Sequence, residues 1–405
     1  MQLTEQHIIK TEEWKPWCIK AKNLYNQALY YWRQSMFKKI EYFTEYELTA
    51  LFREFDEENF RELPSHCGQL VITEVFNNAR NWQRARAEWR KNPNKFSGRP
   101  RLPRYKKELS TLRFTPNQVK LKNGFIHFPK MIKIPPIKTS IPNVKFCRVV
   151  PKSNHFLVEF TYEVQEKTSK PYNGNAMGID LGLNNFATCF SNSGRSIIIN
   201  GRPLKSINQF YNKRRSKLQS KLEVGTYTSK RIERITFKRN QKIKNYIHHA
   251  SKKIISEAIS QNITKIVVGN NSSWKQGIRI GKTTNQNFVS IPHATLIEKI
   301  KYKAKLEGIE FEKTEESYTS KCSFLDMEKI GKSENYVGKR TKRGLFRTSN
   351  NIYINADCNG GGNILRKVIG DFEINDSIVR AVVAPSRICV FKQNTLKPKT
   401  FINIF

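Results

Sequence analysis

Between residues 13 and 92 apolar positions return every three or four residues. Trp17, Ala21, Leu24, Tyr25, Ala28, Leu29 and Trp32 form one stripe, and Val71 to Trp89 repeat it. That period predicts amphipathic helices, the second starting where Pro64 and Ser65 supply an initiation signal. From 93 the chain reads KNPNKFSGRPRLPRYKK, a Pro-, Gly- and Lys-rich stretch that cannot be helix. Short apolar runs follow, Phe125 to Phe128, Val144 to Val150 and Phe156 to Val164, which predict strands of a small β-rich domain. From Ala176 the pattern alternates: strand MGIDLGL, strand NFATCFSN, strand RSIIIN, a basic helical stretch, strand KIVVG, a helix over 294–307 and strand IEFEKTE. An α/β sheet domain is expected there. Residues 321–352 have no period and read as a basic insertion, a last helix is expected over roughly 360–370, and the tail to Phe405 carries no assignable pattern. The expectation is a multidomain chain of α/β and α+β class: a helical part over 1–96, a β-rich part over 97–172, and an α/β part over 173–405 carrying the insertion.

Charge changes the picture. The 405 residues hold 72 Lys and Arg against 34 Asp and Glu, a formal charge of +38. Between Gly194 and Ser256 there are seventeen Lys or Arg and two acids, Glu223 and Glu233, so the basicity runs through the body of the protein. A membrane surface would need a strongly apolar helix face, and 205–222 offers only Ile207, Phe210, Tyr211, Leu218 and Leu222. Nucleic acid is the better partner, with binding that weakens steeply as salt rises. The segment VITEVFNNARNWQRARAEWRK interleaves Trp82 and Trp89 with Arg80, Arg84, Arg86, Arg90 and Lys91. It can stack bases and follow phosphates, or equally hold its tryptophans in a core behind a solvated basic face. The residues chosen as nucleic-acid contacts are Arg80, Arg84, Lys106, Lys213, Arg214, Arg215, Arg340 and Arg343. Cysteines at 18, 67, 147, 189, 322, 358 and 389 form no short-spaced pair, which argues against a disulfide framework and a Cys-only zinc site. No apolar run is long enough to span a bilayer and MQLTEQHIIK lacks the features of a secretion signal, so a soluble protein without a membrane partner is expected.

In so basic a chain, acids at strand ends stand out. Asp180 ends a strand that reads as buried, with Gly182 beyond it to let the chain turn; Asp357 lies in INADCNGGGNILRKV at the approach to the final helix. Two carboxylates from distant segments, brought to one sheet edge, can hold Mg²⁺ for in-line attack of water on a phosphodiester. Taken singly, an Asp before a helix is more simply an N-cap.

Together these segments carry a resemblance. GIDLGLNNFATC resembles the first RuvC motif, and INADCNGGGNIL the third, of TnpB, the RNA-guided nuclease of bacterial insertion sequences related to type V CRISPR effectors and Fanzor. GRPRLPRYK is similar to that family's linker into its wedge domain, and YTSKCS precedes the insertion. The resemblance implies a RuvC domain of RNase H-like fold, a helical recognition lobe and a β-rich wedge domain. It implies a guide RNA and target double-stranded DNA as partners, no small-molecule substrate, and cleavage with Mg²⁺, for which Mn²⁺ can substitute, beside a short flanking motif. Base pairing then supplies the sequence while the protein reads a few bases and the backbone. The expected setting is the cytoplasm of a bacterium, at the nucleoid.

The chain departs from the family twice. Where the second RuvC motif places a Glu, TKIVVGNNSSW has Gly269. The strand in IEFEKTEESYTSK brings Glu315 and Glu316 to the same edge if it lies beside KIVVG, about 4.8 Å away. Its Glu-x-Tyr-Thr-Ser-Lys resembles the form in rearranged TnpB lineages and Fanzor, which selects Glu316; strand alternation turns Glu315 to the opposite face. The implied metal ligands and catalytic residues are therefore Asp180, Glu316 and Asp357. If both glutamates are merely exposed acids, the protein is a nuclease-dead RNA-guided DNA-binding repressor. A transposase acting without RNA is a further rival, against which stands the absence of a His-hydrophobe-His motif with a nucleophilic Tyr. The second departure is the family's zinc knuckle: only Cys322 stands between the YTS segment and Cys358, so no zinc is expected. KRTKRGLFR, with Lys339, Arg340, Lys342, Arg343 and Arg347, can hold strand phosphates in its place or be a solvated loop.

Overall fold

The computed structural model describes residues 1–38, 43–55, 58–271 and 291–390. They fall into two compact units that meet in sequence between Val164 and Gln165. In the first, helices α1 (Lys15–Lys38), α2 (Glu45–Glu54), α3 (Glu58–Arg61) and α4 (Ser65–Lys91) accompany seven strands. Strands β1 (Gln2–Ile9), β7 (His155–Glu163), β6 (Phe146–Lys152) and β2 (Leu112–Phe114) form an antiparallel sheet in that order. Strands β3 (Lys120–Lys122), β4 (Phe125–His127) and β5 (Ile137–Lys138) make a smaller one. Helices and strands share one core: Trp14, just before α1, stands edge-on to Phe114 and Phe128 at 6.1 and 4.8 Å between ring centroids. The expected division at 96/97 is thus not a break in packing. Strand β1 corrects the all-helical expectation for the N-terminal part. Its most buried residue is Glu5, whose carboxylate is taken up by His7 and by Thr139 at 2.7 Å, so no apolar alternation announces a strand there.

The second unit is built on a six-stranded mixed sheet. Its strands are β8 (Ala176–Asp180), β9 (Asn185–Ser191), β10 (Arg195–Asn200), β11 (Lys265–Gly269), β12 (Glu310–Thr314) and β16 (Ser386–Ile388), in the order β12-β11-β8-β9-β10-β16. Parallel pairing joins β12 to β11, β11 to β8 and β10 to β16; β8, β9 and β10 run antiparallel. Both faces are covered, which is why β8 and β11 read as near-continuous apolar runs. On one face Met177, Ile179, Ile266 and Val268 join a core with α6 (Lys230–Ser260) and α7 (His293–Leu306); α5 (Arg202–Gln219) packs on α6. On the other face Ala176, Phe190 and Val267 meet α8 (Ala356–Ile369) and α9 (Asp376–Val383). The insertion is not structureless: β13 (Lys339–Lys342) and β14 (Leu345–Arg347) form a hairpin completed by β15 (Tyr353–Asn355). The tail, for which no element was expected, supplies α9 and β16, while its residues from 391 lie outside the described residues. Among the described residues no helix is long and apolar enough to cross a membrane.

Helix α8 reaches the sheet because neither surface carries side chains where they touch. A Cβ at Gly178 would lie deep inside contact distance of the Gly361 carbonyl oxygen and 3.0 Å from the Leu365 Cβ. A backbone oxygen cannot step aside as a side-chain tip can, so helix and strand would have to part. Gly178→Ala is therefore expected to lower stability by about 1–3 kcal/mol or more, the range of an overpacked core. Gly331→Ala, where a Cβ meets nothing within 4 Å, is expected to be near neutral. Urea unfolding of the two variants beside the parent measures the difference.

Candidate active site

Three acids meet at the edge of the six-stranded sheet where β8, β11 and β12 end. Asp180 is the last residue of β8, on the α8 face by alternation with Ala176 and Gly178. Asp357 lies in the first turn of α8, which starts at Ala356, four residues before the expected 360. Its N-cap is Asn355, whose side-chain oxygen accepts from the amides of Asp357 and Cys358 at 3.0 and 3.1 Å. That leaves the Asp357 carboxylate free of the capping task, and it accepts instead from the Asn185 side-chain amide at 2.6 Å. Arg340, on β13, lies 3.6 Å from its other oxygen.

Glu316 follows β12, which lies beside β11 as expected; the pairing is parallel, with Thr314 beside Gly269. Its side chain lies over Gly269: a Cβ there would stand 2.6 Å from Glu316 Cγ, 2.7 Å from Glu316 Oε1 and 2.6 Å from Ile364 Cδ1. Glu315 is exposed and accepts from the Ser317 hydroxyl. The turn after Glu316 is held from α8. Lys367 donates to the carbonyls of Glu315 and Ser317 at 3.0 and 2.7 Å. Asn363 donates to Thr319 and Cys322, and Asn359 to Cys322 while accepting from the Phe324 amide. Within this turn Tyr318 sits in the left-handed region at φ 65°, a strained conformation for a non-glycine residue. Lys367, Asn359, Asn363 and Asn185 were not among the expected site residues. The signal for the two α8 asparagines was their spacing of four around a glycine run, which puts both on one helix face.

The electrostatics follow from crowding. Burial, then the charges of Asp357 and Glu316, raise the Asp180 carboxyl well above its ordinary range, against the opposing pull of Arg340 and the Leu181 amide. Burial pushes Glu316 up to about 7, with Lys367 pulling it down. Glu316 Oε1 is buried and has no hydrogen-bond partner. The donor set fits a hard divalent cation: carboxylate oxygens, one of them orphaned, in a site where the acids repel one another. Among the described residues no three His, Cys, Asp or Glu side chains close on one point tightly enough to hold an ion by themselves. Mg²⁺ does not require that, since it keeps several waters and takes one or two carboxylates plus substrate phosphate oxygens.

The expected nucleic-acid contacts divide. Arg84, Lys213, Arg214, Arg215 and Arg343 are exposed, and Arg80 is exposed but bonded to Asn77 at 2.7 Å and 3.7 Å from Glu45. Lys106 is a correction. It is half-buried, donates to Glu74 and Ser110 at 2.7 Å, and lies 3.9 Å over the Tyr25 ring, so its ammonium is already satisfied within the fold. Trp82 packs against the first unit's core and donates to the Pro100 carbonyl at 3.3 Å, which favours the core reading for that tryptophan.

Residues 159–275 match the family model OrfB_IS605, described as a probable transposase, and residues 293–364 match that of the Cas12f1-like TNB domain. Among curated proteins, a TnpB-like protein of Methanocaldococcus jannaschii is 26% identical over 185 residues, 44% of this chain and 65% of its own. A TnpB-like protein of Acidianus two-tailed virus is 26% identical over 234 residues, 54% of this chain and 47% of its own. The chain thus spans about half to two thirds of the length of these relatives. Among solved structures, the mini-RNA-guided endonuclease CRISPR-Cas_phi3 aligns over 92% of this chain and 93% of its own, with TM-score 0.47 and 10% identity. A Cas12f1–sgRNA–target DNA complex aligns over 89% and 98%, with TM-score 0.39 and 18% identity.

The fit of Glu316 over Gly269 generates a stability test. Gly269→Ala is expected to destabilise by about 1–3 kcal/mol through its clash with Glu316 and Ile364. Glu316→Ala removes two of the three crowded atoms, so the double variant should recover part of that loss, a coupling of about 0.5–3 kcal/mol. Additive losses in denaturant unfolding would mean that the two residues do not touch.

Proposed function

We propose that this chain, which its family-model and curated matches support as a TnpB-type protein, is an RNA-guided DNA endonuclease. In this reading residues 173–405 are a RuvC domain of RNase H type, residues 1–96 a recognition lobe and residues 97–172 a wedge domain. The observation that carries the nuclease reading is the meeting of Asp180, Glu316 and Asp357 at one sheet edge, with a buried carboxylate oxygen left unpaired. Mutual repulsion and burial both weigh against such an arrangement, which supports a cation-binding role over the nuclease-dead reading.

Asp180, Glu316 and Asp357 would hold Mg²⁺. The chemistry bound Mg²⁺ supplies is a more acidic attacking water and neutralisation of the phosphodiester charge. The chain's own residues prepare the site. Asn185 orients the Asp357 carboxylate, and the α8 contacts fix the backbone on either side of Glu316. Arg340, on a hairpin beside Asp357, offers a guanidinium to an incoming phosphate. The exposed cations of α5 supply attraction for guide RNA and target DNA.

The test is cleavage of a DNA duplex matched to a chosen guide, with Mg²⁺ or Mn²⁺. Asp180→Ala and Glu316→Gln should both reduce cutting to background while guide and target binding persist, and Glu315→Gln should cut almost as the parent does. Cleavage should survive a zinc-selective chelator. Normal cutting by Glu316→Gln would remove Glu316 from the ligand set. Binding without cleavage by the parent itself would leave the repressor reading. The protein should also co-purify with RNA, seen as a shift in elution and absorbance ratio after ribonuclease treatment; stable RNA-free protein at low salt would overturn the guided reading.

A further inference from the structure

We propose that the groove between α5 and α6 is a stacking site for one unpaired nucleotide of a folded RNA. The inference rests on the guided-nuclease reading for the source of that RNA. The groove measures about 500 Å³, within the size range of small-ligand clefts. Phe210, Tyr211 and Arg214 line it from one helix and Lys238, Arg239 and Lys242 from the other, each set on a single face by three-to-four spacing. Phe210 is 61% exposed, an unusual position for a large aromatic ring in a helix so rich in cations. Its face is not bare: the Arg214 guanidinium lies 5.4 Å from the ring centroid, and that of Arg239 lies 5.6 Å from Tyr211. Exposed ring and guanidinium faces of this kind are surfaces on which an unpaired base stacks.

The walls are set in advance. Arg239 donates twice to the buried Asn208, at 2.8 and 2.6 Å, and the Tyr211 hydroxyl shares a hydrogen bond with Thr236 at 2.9 Å. Holding these planes before binding lowers the ordering cost of a ligand. Among the described residues no acid lines the groove; Glu223 and Glu233, the acids nearest in sequence, are not part of it. Among the described residues no carboxylate pairs with Arg214, Lys238 or Lys242, so their charges face solvent and fit phosphate. Cations continue from the groove along both helices, Lys213, Arg215 and Lys217 on α5 and Arg231 and Arg234 on α6. A bulged RNA presents this combination: an unstacked base flanked on both sides by duplex phosphates. A fully paired duplex keeps its bases stacked and has nothing to insert.

The test uses the full chain in EDTA, so that no strand is cut, and a two-stranded, blunt-ended RNA duplex with one bulged 2-aminopurine. Binding should quench the bulged base, and Phe210→Ala should abolish the quenching and weaken this duplex by about 5- to 150-fold, the worth of one stacked base. The same duplex without the bulge should bind parent and Phe210→Ala alike, and Phe210→Trp should retain the quenching. Lys238→Gln and Lys242→Gln should weaken both duplexes and each lower the salt slope by about 1. Equal binding of both duplexes by the parent, or full quenching by Phe210→Ala, overturns the proposal and leaves the guided-nuclease reading standing. A stronger response to the same bulged duplex made of DNA also overturns it. Failure of the parent to bind any RNA removes both.

Discussion

The bare contact between α8 and β8 is the constraint from which the rest of the candidate site follows. Gly178 and Gly361 let a helix lie against a sheet with backbone facing backbone. At that distance the first turn of α8 stands beside the end of β8, and Gly360 leaves room for Asp180, whose Oδ2 would be 2.8 Å from a Cβ there. Asp357 is carried in by the same helix, and its far end holds the turn that follows Glu316. Separation between acids that come from three distant parts of the chain is thus fixed by one packing distance. A close-packed interior transmits such a constraint because it has no slack to absorb it.

Electrostatics act against this geometry. A chain of charge +38 could have surrounded its few central acids with ion pairs, yet the carboxyl groups at this edge lie among one another. Asp357 has Arg340 beside it, while Lys367 is engaged with carbonyls and its charge reaches Glu316 only through space. Surface acids elsewhere are treated differently: Glu74 holds both Lys106 and Arg113, and Lys265 lies between Glu310 and Glu312. The contrast separates acids that hold the fold together through close ion pairs from a cluster in which, among the described residues, only Asp357 has a cation within 4 Å.

Much of this was legible in the sequence. The strands β8 to β11 announced themselves as apolar runs, largely buried, while β12 is mostly charged and partly exposed; its place beside β11 is as expected, and the parallel sense of that pairing comes from the structure. Asp180 and Asp357 stood out because acids are rare in so basic a chain. Strand β1 escaped because its inward residue is a carboxylate satisfied by hydrogen bonds, a pattern hydrophobicity does not register. Lys106 departs from expectation for the converse reason: a lysine in a basic, proline-rich stretch looks solvated, and only the fold brings Glu74 to it from α4. The hairpin of the insertion was hidden by exposure, since the residues of β13 are all solvent-facing and leave no periodic trace.

The occupancy of one small space by Glu316 and Gly269 has a consequence for how such a site can change over generations. The space over β11 admits a side chain from position 269 or one reaching across from 316, and the atoms already there leave no room for both. A lineage moving its acid from one strand to the next must therefore pass through an ancestor that is either overfilled or one acid short. Neither single step is neutral, so the two positions should change as a linked pair. In related sequences a glycine at the first should accompany a glutamate at the second, and a bulky residue at the first should exclude it.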